Sequence, residues 1–169
     1  FNITWIPLTS EANQFIGISH CPGKYCEKWG SVIQLHDDLK SLTHQRVDAI
    51  ITLTSEIEIE ALGIENFAKN LRKFGFIHYI EPIDDFSVPK RNRIKTIQSL
   101  IKKILKLIKK NKTVLVHCNS GLGRSGIIIG LLIKSVGSYN DPIRHLRKFR
   151  PGAVETEEQE RFIIDFDFC

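Results

Sequence analysis

Methionine is absent from the 169 residues, tryptophan occurs twice and cysteine only four times. So few cysteines exclude a disulfide-dense scaffold. Six prolines and 11 glycines are too few for a collagen-like or low-complexity chain. No stretch of ~18 uncharged apolar residues occurs, so the sequence predicts no membrane-spanning helix. Neither sign of charge dominates: 24 basic against 19 acidic residues leave a net charge of +5. The chain opens on Phe1 rather than Met. It is therefore read as starting inside a longer protein, with a removed targeting segment left open.

What is present is ordinary globular composition, 42% hydrophobic and 25% charged. Residues 1–169 are read as one domain, long enough for one core and short for two. A pI near 9.1 favours anionic partners (phosphoproteins, nucleic acid, acidic lipid) without choosing among them. The cysteines are Cys21, Cys26, Cys118 and Cys169. Cys21 and Cys26 lack a second ligand pair to complete a zinc site. All four are read as reduced thiols, which implies a reducing compartment.

Short extended pieces cover Ile3 to Leu8 and Phe15 to Ser19. Helical spacing follows over Val32 to Leu42, then a buried-strand run over Ala49 to Leu53. Ile64 to Phe74 reads as a helix stopped at Gly75, and Phe76 to Ile80 as a strand. Ile94, Ile97, Leu100, Ile101, Ile104, Leu105 and Ile108 mark a long amphipathic helix, with Lys102, Lys103, Lys106, Lys109, Lys110 and Lys112 as its solvated face. Val114 to Val116 is a further strand. Helical segments Ile127 to Val136, Pro142 to Phe149 and Glu155 to Phe166 finish the chain. The alternation predicts an α/β fold: a mostly parallel central sheet flanked by helices.

The most informative stretch is His117-Cys118-Asn119-Ser120-Gly121-Leu122-Gly123-Arg124-Ser125-Gly126, between a strand and a helix. Gly121-x-Gly123-x-x-Gly126 formally matches a dinucleotide fingerprint, but no strand with an acidic residue follows ~20 positions on. No Gly-Lys-Ser/Thr is present to make a Walker loop. A cysteine at a strand end, facing a helix N-terminus, is instead placed as a thiolate nucleophile. The small residues Asn119, Ser120, Gly121 and Gly123 let the loop curl its amides inward around a tetrahedral oxyanion. Arg124 supplies a fork for two phosphate oxygens. Ser125 is placed to donate to the sulfur.

His-Cys-x5-Arg-Ser resembles the signature of the protein tyrosine phosphatase superfamily at every defining position. With Ile3 to Leu8, Gln14 to Gly17 and Pro22-Gly23, the resemblance extends to its kinase-associated dual-specificity members. It implies a single-domain cysteine phosphatase fold and hydrolysis of phosphotyrosine, phosphoserine and phosphothreonine through a cysteinyl-phosphate. It implies Cys118 as nucleophile, Arg124 as anion clamp, and His117, Asn119, Ser120, Gly121, Leu122 and Gly123 around the phosphate. In such families the general acid stands four residues before a proline. Asp85 has that spacing to Pro89 and is preferred, while Asp84 stays open. The segment Glu155-Thr156-Glu157-Glu158-Gln159 resembles the family's Gln-Thr-x-x-Gln. Its second glutamine, Gln159, would orient the hydrolytic water; Glu155 departs from the pattern, so its role stays open. No cofactor or metal is implied. The expected partners are phosphoproteins, with a cyclin-dependent kinase as one such partner, and the expected location is the cytoplasm or nucleus. A phosphoinositide or RNA 5′ phosphate is the rival substrate, and nucleic acid is not an expected partner. The uncharged loop, lacking lysine, argues against inositides. Intact Cys118, Arg124 and Asp85 argue against a non-catalytic phosphate-binding module.

Overall fold

The computed structural model describes every residue except Ala12, Glu27, Lys28 and Cys169; the thiol state expected for Cys169 falls outside the described residues. Strands β1 (Thr4–Pro7) and β2 (Phe15–Ser19) are followed by α1 (Val32–His44), β3 (Ala49–Thr52), α2 (Glu56–Ala61) and α3 (Phe67–Lys73). Then come β4 (Ile77–Ile80), α4 (Ile94–Lys109), β5 (Val114–His117), α5 (Gly123–Val136), α6 (Pro142–Phe149) and α7 (Glu157–Asp165).

The five strands form one sheet in the order β1-β2-β5-β3-β4. All pairs are parallel except β1 with β2. The continuous apolar runs of β3 and β5 suit a sheet covered on both faces. Alternate residues divide accordingly: Ala49, Ile51, Val114 and Val116 join one core, while Ile50 and Leu115 join the other. The larger core takes Ile97, Ile101 and Ile104 of α4, Ile127 to Ile133 of α5, Leu146 of α6 and Ile163 of α7. The smaller takes Leu35, Leu39 and Leu42 of α1 with Phe67 and Leu71 of α3. The expected α/β layers are therefore observed. Helix α5 is buried continuously from Gly123 to Ile133, which explains why its sequence is apolar on all sides. The lysines of α4 face outward as expected, Lys103 lying 5.4 Å from the Tyr79 ring centroid; Lys110 and Lys112 follow the helix, and Lys112 pairs with Asp48 at 2.8 Å.

Because β2, β3, β4 and β5 run parallel, their carboxyl ends open onto one edge, where ligand sites of open α/β sheets form. Onto that edge β2 delivers His20 to Lys24, β3 delivers Leu53 to Glu58, β4 delivers Glu81 to Pro89, and β5 delivers Cys118 and its loop. Several boundaries differ from expectation (α3, for instance, starts at Phe67 rather than Ile64), and one helix is additional. Helix α5 starts at Gly123 rather than Ile127, which places Arg124 and Ser125 in its first turn. Helix α7 starts at Glu157 behind an N-cap made by Thr156, so Glu155 precedes it. Helix α2 has no counterpart in the sequence reading, because Ile57 and Ile59 alternate with glutamates in a strand-like pattern.

Candidate active site

The loop from Cys118 to Gly123 turns back on itself at Gly121, whose φ of +71° lies in the left-handed region. A side chain there would also run into the carbonyl of Ser19, so only glycine fits. The turn aims the Gly121 N–H at Cys118 Sγ, 3.3 Å away, a contact that stabilises negative charge on the sulfur. Cys118 is itself buried. Outside the loop, Arg150 donates to the carbonyls of Gly121 and Ser120, each at 3.1 Å. Lys24 donates to the side-chain oxygen of Asn119 at 2.6 Å. The Arg150 bonds occupy two of the loop's carbonyls, and Lys24 ties the Asn119 side chain to the segment after β2.

Arg124 is the largest fully buried side chain. Its Nη1 donates to Glu58 at 2.7 Å and to the carbonyl of Ile83 at 3.2 Å. Asp85 lies 3.0 Å from Nη2 in an ion pair, without hydrogen-bond geometry; Nε and Nη2 have no hydrogen-bond partner among the described residues. Burial works against the guanidinium charge, but the Glu58 bond and the charges of Cys118, Glu58 and Asp85 outweigh it, so its pKa lies above the ordinary value. A fork hydrogen-bonded through one nitrogen, with Nε unbonded among the described residues and Nη2 facing only the Asp85 carboxylate, is set to accept two oxygens of an anion that displaces Asp85. The Ser125 hydroxyl is also fully buried and without a hydrogen-bond partner among the described residues. No bond from Ser125 to the sulfur is present in this structure; the donor seen at Sγ is the Gly121 N–H.

The two aspartates part company. Asp84 turns to solvent and pairs with Lys90 at 2.9 Å, whereas Asp85 faces Arg124. The turn between them is pinned at both ends, by Ile83 on Arg124 and by the Ser87 carbonyl on Gln159 Nε2 at 3.3 Å. Farther back, Arg93 holds buried Glu81 with two bonds, 2.8 and 2.6 Å. Gln159 is fully buried, and its Oε1 accepts from the Glu155 N–H at 2.8 Å. A side chain at Gly123 would meet the Glu155 carboxylate and both polar atoms of Gln159. Glu155 and Gln159 thus stand together against the mouth of the loop.

Beside Cys118, His117 Nδ1 lies 3.3 Å from the Cys118 carbonyl and Nε2 lies 2.8 Å from Thr52 Oγ1, which is 2.8 Å from His78 Nε2. A carbonyl can only accept, so His117 carries its proton on Nδ1, Thr52 donates to His117, and His78 donates to Thr52. Burial pushes His117 down to about 3 and His78 to about 4. His117 is therefore a neutral support for the Cys118 backbone rather than a group facing a phosphate. Sequence reasoning singled out none of Glu58, Thr52, His78 and Lys24. Only Glu58 left a usable trace, the Ser55-x-x-Glu58 capping box.

A family model described as a polymorphic toxin system DSP-PTPase phosphatase (Tc-R-P) matches residues 26–137, well over half of the chain. The chain belongs to the dual-specificity phosphatases. The rat Cyclin-dependent kinase inhibitor 3 is 24% identical, over 97% of this chain and 77% of that protein. Among solved structures, kinase associated phosphatase with its catalytic cysteine substituted by serine superposes with a TM-score of 0.84 at 24% identity, covering 98% of this chain and 93% of that one. Tk-PTP in the active form gives 0.73 at 22% identity, covering 96% and 95%. These likenesses match the expected cysteine-phosphatase fold, a mostly parallel sheet flanked by helices.

Proposed function

We propose that the protein hydrolyses phosphotyrosine, phosphoserine and phosphothreonine through a cysteinyl-phosphate on Cys118. The observation that carries this is Arg124: a fully buried guanidinium whose Nε and Nη2 lack hydrogen-bond partners among the described residues, in the helix turn that follows a loop whose sulfur accepts from the Gly121 N–H. Cys118 Sγ attacks phosphorus, and the bond to the leaving oxygen breaks. Arg124 and the loop amides hold the equatorial oxygens through the transition state. Asp85, released from Arg124 by the incoming phosphate and carrying a proton, gives that proton to the leaving oxygen. In the second step water attacks phosphorus, the P–S bond breaks, and the Asp85 carboxylate takes the water's proton. Gln159 orients that water from the loop's mouth. The kinase names of the relatives support a folded phosphoprotein such as a cyclin-dependent kinase as partner, in the cytoplasm or nucleus. Remote contacts with such a partner would supply binding energy that a short peptide lacks.

The test is kcat/KM on matched phosphothreonine, phosphotyrosine and inositide substrates at one ionic strength, with mass spectrometry of the acid-quenched enzyme. The expected result is turnover of both peptides and a phosphoryl group on Cys118. A preference of tenfold for an inositide, or phosphate trapped on another residue, would overturn the reading.

A further inference from the structure

The carboxyl ends of β2 and β5 are neighbours, with Ser19 in register with His117. The chain leaving β2 therefore runs alongside the catalytic loop, and the Cys21 N–H bonds the Asn119 carbonyl at 3.2 Å. Between the two lies a cavity of about 290 Å³ lined by His20, Lys24, Tyr25, Cys26 and Ser120. Ser120 belongs to the loop itself, so the cavity adjoins the phosphate cradle. Its walls have a definite charge. Lys24 uses one ammonium proton on Asn119, and an ammonium has three; among the described residues it makes no ion pair. Arg150 backs Ser120 from the other side. The nearby Asp38 is buried and already engaged by the Gly23 N–H at 2.7 Å and the Gln34 amide at 2.8 Å. Tyr25 adds an aromatic ring that is 62% exposed.

We propose that this cavity is a second anion subsite, in which Lys24 reads a carboxylate or second phosphate carried by a residue next to the phosphorylated one, so that acidic phosphopeptides are preferred. The inference rests on the phosphoprotein reading above. The sequence placed no lysine in the loop, and the fold supplies one from β2's end instead. A protein ligand is favoured over a lipid because the family is one of phosphoprotein phosphatases and an exposed tyrosine beside the cation suits a peptide chain.

The experiment compares phosphotyrosine peptides bearing Glu or Ala at one or two positions on either side, using the full chain at low salt. The Glu peptides should be favoured about three- to fivefold in kcat/KM, the scale of a partly solvated ion pair, with the preference shrinking as salt rises. Lys24→Arg should keep the ratio, Lys24→Gln should erase it, and Lys24→Glu should invert it. Because Lys24 also holds Asn119, hydrolysis of p-nitrophenyl phosphate reports loop damage, and only the Glu/Ala ratio scores the subsite. Equal rates on Glu and Ala peptides, or an unchanged ratio in Lys24→Gln, would overturn the inference. A Lys24-dependent preference for a soluble inositol bisphosphate over every peptide would also overturn it, by giving the subsite to a lipid headgroup. Failure to turn over any phosphopeptide would instead strike the phosphoprotein reading itself.

Discussion

Cys118 and Cys21 are both buried, and both touch the same loop, Cys118 as its first residue and Cys21 through the Asn119 carbonyl. Their sulfurs face opposite polarities. Cys118 Sγ accepts from the Gly121 N–H, whereas Cys21 Sγ donates to the Pro22 carbonyl at 3.5 Å. Burial, with the charge of Cys118 nearby, pushes the Cys21 thiol far above its ordinary value. Burial alone therefore does not decide whether a thiol reacts; the direction of its hydrogen bond does. The same contrast runs through the histidines. A backbone N–H points at Cys118 Sγ, while burial disfavours positive charge on His117 and His78.

The sharpest way to break the comparison is to exchange the sulfurs' roles. Cys118→Ser should lower turnover by roughly 10³-fold or more with the fold intact, since a hydroxyl ionises poorly where a thiolate stood. Residual activity within tenfold of the parent, with circular dichroism unchanged, would contradict it. Next in size is the carboxylate pair. Asp85→Asn should slow hydrolysis of an alkyl phosphate by roughly 10²-fold, and Asp84→Asn, which only frees Lys90, by a few-fold at most. The loss in Asp85→Asn should shrink for leaving groups that need no proton. If Asp84→Asn is the more damaging change, the acid belongs to the other residue.

A third prediction tests the histidines. Their folded pKa values, about 3 and about 4, lie below the ordinary 6.5. Between those values and 6.5 the unfolded chain binds protons that the folded one refuses. Their contribution to stability is thus complete above pH 6.5 and is lost as pH falls through that window. From His117 alone the loss should be about 2 kcal/mol between pH 6.5 and 5. Denaturant titrations at the two pH values measure it, and equal or greater stability at pH 5 would contradict it. Smallest is Cys21→Ala, expected to cost about 1 kcal/mol as a small cavity while leaving kcat within about twofold. A tenfold fall in kcat would mean that Cys21 is more than packing.

The placement of Cys118 and Arg124 was legible because one contiguous segment carries them: strand, loop and helix start follow in order from Val114 to Val136. The spacing to Pro89 picked out Asp85, the aspartate that faces Arg124. What the sequence concealed lies across long separations. Glu58 reaches Arg124 over 66 positions, and Lys24 reaches Asn119 over 95; no spacing rule joins such pairs. Helix α2 was hidden for a local reason, since its Ile-Glu alternation imitates a strand and only the cap at Ser55 betrays it. The sequence puts the Ser125 hydroxyl near the sulfur, and in this structure it makes no hydrogen bond among the described residues. Its hydroxyl lies in the first turn of α5, which starts four residues earlier than the apolar run suggested.

Glu58 divides its carboxylate between two tasks. Oε2 accepts from the Ser55 N–H at 2.9 Å and closes the cap of α2, while Oε1 holds Arg124. Six residues are too few for a helix to persist unaided, so α2 depends on that cap. An anion drawing the Arg124 fork toward itself also shifts the pull on Glu58, and thermodynamic reciprocity makes the coupling run both ways. Anything that stiffens α2 must alter the cradle's grip on phosphate, and a filled cradle must change how often the α2 amides open to exchange with deuterium. The shortest α-helix of the described residues thereby becomes a gauge of occupancy for a cradle in which it has no residue.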